Sequence, residues 1–338
     1  MSQTILVTGA TGFLGRHLVE RLLACETDAV LRLLNFGPCP FPPSERLEIV
    51  EGDVTRPDDV MRAVAGCARL YHLAGVVSRN PRDKWKIFDV NVDGTRNVCR
   101  AALAHRLERI VLVSSSGTVA VSKEPVVHNE DGGFKIEVVG RWPYYLSKIY
   151  AEKVALDFFR RHGLPVVIAN PALLLGPGDE FGSSTRDIAL LLEGRLPAIP
   201  SGGMCFVDAR DAARGLVAAM QAGRPGERYL LGGPNWTFRQ VISRVAEIGR
   251  IRPPRFELPL EFSLWSARVL RRVMPLVGRS FPLDETTIEM AAHFWYADST
   301  KAATELGFRS RDPMQTLRDT VSYLRQRAAK PDRLDSVS

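Results

Sequence analysis

The sequence predicts an α/β fold, a doubly wound parallel sheet with a smaller, discontinuous C-terminal lobe, because strand and helix patterns alternate through its first half. The strand patterns are apolar runs rich in Val, Ile and Leu without strict alternation, which is typical of strands covered by helices on both faces. After Pro171 the regular alternation ends. Strands are predicted near Thr4–Thr8, Val30–Leu34, Glu48–Gly52, Leu70–Leu73, Arg109–Ser114 and Pro165–Ala169.

A glycine-rich turn follows the first predicted strand, in the segment Thr8-Gly9-Ala10-Thr11-Gly12-Phe13-Leu14-Gly15. Glycines at this spacing allow a tight turn, let backbone N–H groups approach a pyrophosphate and let the next helix pack closely on the sheet. That helix also presents free N–H groups and a positive dipole end to the diphosphate. The pattern predicts a Rossmann-type dinucleotide site that contains Gly9, Thr11, Gly12, Phe13, Leu14 and Gly15.

The C-terminal half of the 338-residue chain is predicted to be a substrate lobe, interrupted by a return to the main sheet. Open α/β sheets bind ligands at the carboxyl ends of their strands, so we expect the lobe to cover that edge. The predicted dinucleotide domain comprises residues 1–170 and 206–232, the lobe residues 171–205 and 233–328, and a frayed tail residues 329–338.

Tyr144 and Lys148 are predicted to form the catalytic pair, because they lie four residues apart near the start of a helix predicted from Pro143 to Arg161 and so share one face. A lysine ammonium and an oxidised nicotinamide nearby would both favour the phenolate and lower the pKa of Tyr144 from about 10 toward neutrality. The phenol could then accept a proton from an alcohol or donate one to a ketone. Tyr145 has no lysine at this spacing and is predicted to pack or to contact substrate.

Three serines, Ser114, Ser115 and Ser116, end the strand that precedes this helix. A hydroxyl at this edge can position and polarise a substrate oxygen through a hydrogen bond. We predict Ser116 for this role, with Ser115 as the second choice. Serine clusters also serve in turns and in backbone capping.

Together these motifs resemble those of the extended short-chain dehydrogenases/reductases, in the NAD-dependent epimerase/dehydratase group, over nearly the whole chain. The resemblance implies that Asp53, in Gly52-Asp53-Val54, contacts adenine, with Val54 beside it. It implies that Pro171 lies near the nicotinamide and that Asn91 supports the catalytic helix and a proton relay. It also implies that the segment His72-Leu73-Ala74-Gly75 places Leu73, Ala74 and Gly75 beside the cofactor.

Within this group the sequence resembles dihydroflavonol-reductase-like and 3β-hydroxysteroid-dehydrogenase-like proteins, including those called hopanoid-associated sugar epimerases. The matching C-terminal segments are Arg228–Gly233, Asp298–Lys301 and Glu305–Phe308. Nucleotide-sugar epimerases typically carry an arginine for the diphosphate just before the segment equivalent to 206–208, where this chain has Met204-Cys205. A diphosphate normally calls for a fixed guanidinium, so this departure favours a less charged substrate.

We therefore predict an NAD(P)-dependent oxidoreductase that interconverts a secondary alcohol and a ketone on a small, largely apolar substrate, with Tyr144 as the acid/base. Two alternatives stay open: a nucleotide-sugar 4-epimerase or dehydratase with tightly bound NAD, and a non-catalytic dinucleotide-binding sensor. The resemblance also implies a homodimer through two long helices per subunit, near Asp83–His105 and Pro143–Arg161.

The choice between NAD and NADP depends on the end of the second strand, where an acidic residue binds the ribose hydroxyls and an arginine accommodates the extra phosphate. Asn35 lies there and is compatible with both. Phe36 occupies the place where NADP-dependent relatives often carry arginine, which favours NAD and leaves NADP open. Arg32 is predicted to point elsewhere.

Composition argues against several other classes of function. The net charge of +7 is spread along the chain without a nucleic-acid-binding motif, so nucleic acid is not expected as a partner. Five scattered cysteines without a Cys-x-x-Cys pair and six dispersed histidines predict reduced thiols and no metal site. Without a signal peptide or a spanning apolar run, a cytoplasmic protein is expected. The basic, aromatic segment 260–279 leaves a peripheral membrane contact open, although a lobe helix with a solvated face is the preferred interpretation.

Overall fold

The computed structural model describes residues 3–42, 44–257 and 285–329. Its strands are β1 (Thr4–Thr8), β2 (Val30–Asn35), β3 (Leu47–Glu51), β4 (Cys67–His72), β5 (Arg109–Val113), β6 (Val166–Pro171), β7 (Leu173–Leu175), β8 (Gly203–Asp208), β9 (Arg228–Leu231), β10 (Asn235–Thr237) and β11 (Phe294–Trp295). Its helices are α1 (Phe13–Cys25), α2 (Pro57–Val64), α3 (Lys84–Phe88), α4 (Gly94–Ala104), α5 (Ile136–Val139), α6 (Pro143–His162), α7 (Arg186–Leu192), α8 (Ala209–Ala222), α9 (Phe238–Gly249), α10 (Glu285–Ala291), α11 (Thr300–Leu306) and α12 (Pro313–Ala328).

The main sheet confirms the predicted doubly wound α/β architecture. In the described part of the chain it has seven parallel strands in the order β3-β2-β1-β4-β5-β6-β9. The chain winds from β1 outward through β2 and β3, then crosses over to β4 on the other side of β1. This reversal creates a crevice at the carboxyl ends of β1 and β4, where open α/β sheets bind ligands.

Helices cover both faces of this sheet, which explains the unbroken apolar runs of its strands. Helices α1 and α8 pack together on one face, where they bury Ile5 and Val7 of β1. Helices α2, α4 and α6 lie on the other face, where Leu6 is buried. Because successive strand residues point to opposite faces, every residue of such a strand must be apolar to enter a core.

A smaller sheet is built around β8, which pairs in parallel with β7 and β11 and antiparallel with β10. It packs with helices α7, α9 and α12 around a separate apolar cluster. Ala172 alone separates β7 from β6 of the main sheet, and its N–H donates to the Leu231 carbonyl of β9. Residues 206–208, predicted to belong to the main domain, lie in this smaller sheet, so the return to the main body begins with α8. The division into two domains stays a prediction.

The single long helix predicted near Asp83–His105 is interrupted in the structure. A 3₁₀ turn and α3 lead into a π-helical turn at Asp89–Asp93, and α4 begins only after it. Within the π turn, the carbonyl of Asn91 accepts a 2.6 Å hydrogen bond from the Thr95 hydroxyl. Such single π turns often lie at functional sites.

The segment 260–279 lies outside the described residues. Of the predicted tail 329–338, only Ala329 is described. No helix within 3–42, 44–257 and 285–329 is long and apolar enough to cross a membrane.

Candidate active site

The glycine turn after β1 is required by close backbone packing. Gly9 has φ +71°, and a Cβ atom there would lie 2.5 Å from the Ala74 nitrogen. A Cβ atom on Gly15 would overlap the carbonyl oxygen of Gly9. Gly12 differs, since its Cβ atom would meet only the Gly9 carbonyl oxygen, at 3.4 Å. Gly9 therefore lets the turn approach the loop after β4, Gly15 lets α1 approach the turn, and Gly12 leaves open space.

These features fit a dinucleotide diphosphate. Gly12 is the N-cap of α1, and no side chain caps the first N–H groups of this helix. Gly9, Gly12, Phe13, Leu14 and Gly15 all line one cavity of about 770 Å³. Backbone donors at a helix N-terminus, next to open space, are the arrangement that binds phosphate oxygens.

The catalytic pair predicted from the sequence lies in the same cavity. Helix α6 begins with Pro143 at its first position, after Trp142 in extended conformation, as expected for a proline-initiated helix. Tyr144 in the first turn and Lys148 one turn later both line the cavity.

Lys148 is held by the end of the neighbouring strand. Its Nζ atom donates a 3.0 Å hydrogen bond to the Val113 carbonyl, and a Cβ atom on Gly75 would lie 3.3 Å from Nζ. Burial lowers the pKa of Lys148 to about 8, while Glu152 opposes this decrease. Gly75 thus leaves the space that the ammonium occupies beside β4.

The pKa of Tyr144 differs from the expectation. Burial raises it above its usual value, Tyr145 raises it further, and a hydrogen bond with the Ser115 side chain opposes the rise. The groups that shift the pKa of Tyr144 do not include Lys148, whose Nζ atom donates to the Val113 carbonyl. In the chain alone the phenol therefore keeps its proton at neutral pH.

The two candidate serines lie at the start of a 3₁₀ turn. Ser115 Oγ accepts a hydrogen bond from Gly117 N at 3.3 Å and lies within hydrogen-bonding reach of the Tyr144 phenol. Ser116, the first choice from the sequence, begins the 3₁₀ turn, is buried and also lines the cavity. Of the two serines, Ser115 is the one whose side chain opposes the rise in the pKa of Tyr144.

Asn91 is buried between the β4 loop and the catalytic helix. Its Nδ2 atom donates to Ser147 Oγ at 2.9 Å and to the Val76 carbonyl at 3.2 Å. Its Oδ1 atom accepts from Val76 N at 2.8 Å, and Ser147 Oγ donates to the Tyr144 carbonyl at 2.6 Å. Asn91 thus ties the loop after β4 to the first turn of α6.

The predicted adenine and ribose residues lie apart from the cavity lining. Asn35 is buried at the end of β2 and donates to the Gly37 carbonyl at 2.5 Å, whereas Phe36 is 79% exposed. Asp53 Oδ1 accepts from Thr55 N at 2.8 Å. Arg32 points elsewhere, as predicted, and pairs with Glu48 on β3.

The remaining predicted cofactor residues lie in the loops after β1, β3 and β4 and at the end of β6. Leu73 and Pro171 line the cavity. Ala74 N donates to Thr8 Oγ1 at 3.2 Å, and the Thr11 carbonyl accepts from Arg16 Nε at 3.1 Å. Val54 is buried against Gly94 of α4. The loops after β1 and β4 thus come together as predicted, and the loop after β3 supports α4.

An aromatic cluster that the sequence analysis did not predict borders the catalytic pair. The ring of Tyr145 stacks on Trp295 with centroids 4.8 Å apart and approaches Tyr144 at 5.0 Å. Trp142 lies 5.5 Å from Trp295. Gly117 permits this packing, because a Cβ atom there would overlap the Tyr145 ring. The sequence predicted that Tyr145 packs or contacts substrate. It could not identify Trp295 as the partner, because 150 residues separate the two in the chain.

His72 is a buried, neutral histidine at the end of β4. Its ring nitrogens lie 2.7 Å from Thr8 Oγ1 and 3.1 Å from Thr95 Oγ1. Burial lowers its pKa from 6.5 to about 3, and Lys148 adds to this decrease. Because the unfolded chain binds this proton more readily, the stabilising contribution is complete above pH 6.5 and is lost as the pH falls toward 3.

We expect this histidine to make stability depend on acidity. As the pH falls from about 7 to about 5, the unfolded chain takes up a proton at His72 that the folded chain does not. This difference should lower the free energy of unfolding by about 2 kcal/mol. The variant His72→Gln should show a smaller decrease over this interval in urea unfolding, whereas exposed His105→Gln should match the parent chain. An unchanged pH dependence in His72→Gln would contradict the assignment.

Within the described residues, no group of three or more His, Cys, Asp or Glu side chains could hold a metal ion. All five cysteines are free thiols.

Comparisons with known proteins agree with this geometry. A model of the NAD dependent epimerase/dehydratase family matches residues 5–232. A putative dihydroflavonol 4-reductase of Synechocystis sp. is 31% identical over 96% of this chain and 95% of its own length. Sterol demethylase protein B of Methylococcus capsulatus is also 31% identical, over 96% of this chain and 99% of its own length.

Solved structures share the fold over most of the chain. The crystal structure of gox2253 matches with a TM-score of 0.80 and 30% identity, and covers 96% of this chain and 99% of that one. A UDP-glucuronic acid 4-epimerase from Bacillus cereus in complex with NAD matches with a TM-score of 0.73 over 96% of this chain and 97% of that one. At 20% identity, the second likeness shows the fold alone.

Proposed function

Because the chain belongs to the NAD dependent epimerase/dehydratase family, a family of NAD(P)-dependent enzymes, we propose that it interconverts a secondary alcohol and a ketone on a small, largely apolar substrate. The observation that carries this proposal is the lining of the cavity beyond Tyr144. Among the described lining residues, that region is mostly aliphatic and aromatic, and includes Trp142, Leu173, Met204, Val241 and Trp295.

The charged side chains that line this part of the cavity, Arg79 and Asp187, form an ion pair with each other. Arg79 is the one arginine among the described lining residues, and its Nη2 atom lies 3.2 Å from Asp187 Oδ2. Met204 and Cys205 line the wall where a nucleotide-sugar enzyme would need a guanidinium. An uncharged ketone or alcohol suits such a wall better than a sugar diphosphate.

The residues around the glycine turn fit the family's dinucleotide cofactor. The backbone of Gly9, Gly12 and Gly15 and the N-terminus of α1 would hold the diphosphate, and Lys148 would hold the nicotinamide ribose. When bound, a nicotinamide cofactor supplies or accepts the hydride. Asn35 at the end of β2 is compatible with both cofactors, and the exposed Phe36, which stands where an arginine would accommodate the extra phosphate, favours NAD over NADP.

The chain's own residues would handle the proton and the substrate oxygen. The Tyr144 phenol keeps its proton at neutral pH, which is the form needed to protonate the oxygen of a ketone during reduction. The Ser115 hydroxyl, beside this phenol, would orient the same oxygen, with Ser116 as the second candidate. Asn91 would keep α6 in register with the loop after β4.

The proposed substrate class can be tested by a turnover screen. Purified protein would be offered NADH and NADPH with ketosteroids, flavonoid-like ketones, β-keto acids and nucleotide sugars. We expect net cofactor oxidation with an apolar ketone, faster with NADH, since the cavity offers apolar contacts and no unpaired guanidinium among its described residues.

Two results would contradict this proposal. The first is turnover of a nucleotide sugar alone, with NAD retained through purification and no net change in cofactor, which is the behaviour of a 4-epimerase. The second is a strong preference for NADPH, which would overturn the assignment of NAD. The homodimer expected through α4 and α6 stays a prediction; Trp85 and Tyr150 are exposed in that region.

A further inference from the structure

We propose that Glu152 is a positioning residue of the active site, whose buried carboxylate keeps Lys148 in its ammonium form and holds the strand end that carries Ser115. The inference rests on the proposed function, because it gives Glu152 a part in that chemistry. Glu152 does not line the cavity and therefore acts only through other residues.

One carboxylate oxygen accepts hydrogen bonds from the end of β6 and from the segment that follows β5. Oε1 of the fully buried Glu152 lies 2.5 Å from Ser114 Oγ, 2.8 Å from Thr118 Oγ1 and 2.8 Å from Asn170 Nδ2. Asn170 Nδ2 also lies 3.0 Å from the Ser115 carbonyl oxygen. Glu152 is thus connected to the backbone of Ser115 through a single side chain.

The other oxygen is paired with an arginine on β9. Arg228 Nε donates to Glu152 Oε2 at 2.6 Å, and the guanidinium lies over the ring of Phe134, 4.3 Å from its centroid. The side chain of Glu152 is 0% exposed and that of Arg228 is 17% exposed. Because an uncompensated buried charge strongly destabilises a protein, this partner allows a carboxylate to persist inside α6.

Glu152 also lies one helical turn after Lys148, so both side chains leave the same face of α6. Burial lowers the pKa of Lys148, and Glu152 is the group that opposes this effect. The other titratable groups that face this region are His72 on β4, Tyr144 on α6 and Arg228 on β9. The first two are neutral at pH 7 and the third is positive, so the negative charge beside Lys148 comes from Glu152.

The experiment measures the protonation of Lys148 without substrate. Trace acetic anhydride would acetylate the lysine amines of the cofactor-free protein over a range of pH, and peptide mass spectrometry would give the titration midpoint of Lys148. In Glu152→Gln, which keeps the shape and removes the charge, we expect the midpoint to fall by about one pH unit. In Glu152→Asp, which keeps the charge, we expect a midpoint near that of the parent chain.

A matched control is available on α8. Asp211 is also a fully buried carboxylate bound to an arginine, with Oδ1 2.7 Å from Arg311 Nη2, but it does not line or adjoin the cavity. Asp211→Asn should therefore leave the Lys148 midpoint unchanged. If Glu152→Gln does not fold, the double variant Glu152→Gln, Arg228→Gln removes both partners of the ion pair and leaves no guanidinium without its carboxylate. It should still lower the midpoint, since Glu152 is the charge that acts on Lys148.

Each outcome is decisive. A folded Glu152→Gln protein with an unmoved midpoint, or a Glu152→Asp midpoint as low as that of Glu152→Gln, overturns the charge role. For a protein with measurable turnover, the strand-end role predicts a lower kcat with little change in KM for Glu152→Gln, and an unchanged kcat overturns it. Since the labelling needs no substrate, failure of the turnover screen and failure of this inference are separate results.

Discussion

Replacing Tyr144 with phenylalanine is expected to reduce turnover by about 10²- to 10⁴-fold while leaving cofactor affinity nearly unchanged. The substitution keeps the ring, and with it the contacts to Tyr145, but removes the only proton that this side chain can transfer. The cofactor is expected to contact the glycine turn and Lys148, which the substitution does not alter. Steady-state kinetics with the best ketone from the screen and fluorescence titration with NADH would give the two quantities.

The control for this variant is Tyr150→Phe, which removes the same hydroxyl from the same helix at an exposed position outside the cavity. It should retain the parent rate. If the Tyr144→Phe protein turned over substrate at the parent rate, the assignment of Tyr144 as acid/base would be wrong. A parallel loss of cofactor binding would instead indicate a structural role.

Gly15→Ala is expected to destabilise the chain and abolish tight cofactor binding. A Cβ atom at this position would overlap the Gly9 carbonyl oxygen and lie 2.9 Å from Ala10 Cα, so backbone atoms must move to accommodate it. We expect a decrease of about 3 kcal/mol in the free energy of unfolding and at least a tenfold loss of affinity for the dinucleotide. Urea unfolding and NADH titration would measure these changes.

Gly12→Ala in the same turn separates stability from binding. Its Cβ atom would meet only the Gly9 carbonyl oxygen, at 3.4 Å, and Gly12 lines the cavity. This variant should unfold like the parent chain yet bind the dinucleotide more weakly, because the added methyl group lies where phosphate oxygens would approach.

Normal stability and normal binding in Gly15→Ala would contradict the packing that the structure shows.

The sequence was sufficient to predict those parts of the fold that depend on local pattern. The first six strands of the main sheet are mostly apolar runs, so β1 was predicted with its observed ends and β2 to β6 to within a few residues. The glycine turn and the pair Tyr144 and Lys148 were also recognisable, because each depends on a short spacing in the sequence. In the structure they line the same cavity.

Features that depend on distant partners were not predictable in the same way. The protonation of Tyr144 depends on how deeply the folded chain buries it, and burial outweighs any effect of Lys148. Ser115 caps the 3₁₀ turn with its side chain whereas Ser116 begins the turn, a difference that the run of three serines does not reveal. Glu152 is close to Lys148 in sequence, but Arg228, its ion-pair partner, comes from β9. Periodicity carries no information about such contacts.

The direct passage from β6 into β7 has a mechanical consequence. With Ala172 alone between the two strands, and its N–H fixed to Leu231, rotation of the smaller sheet would have to twist the end of β6 beside Pro171. This connection therefore restricts rotation of the smaller sheet relative to the main sheet. We therefore expect admission of ligands to depend on movement of the surface loops above the cavity, and the wall formed by β6, β7 and β8 to keep its shape throughout a catalytic cycle.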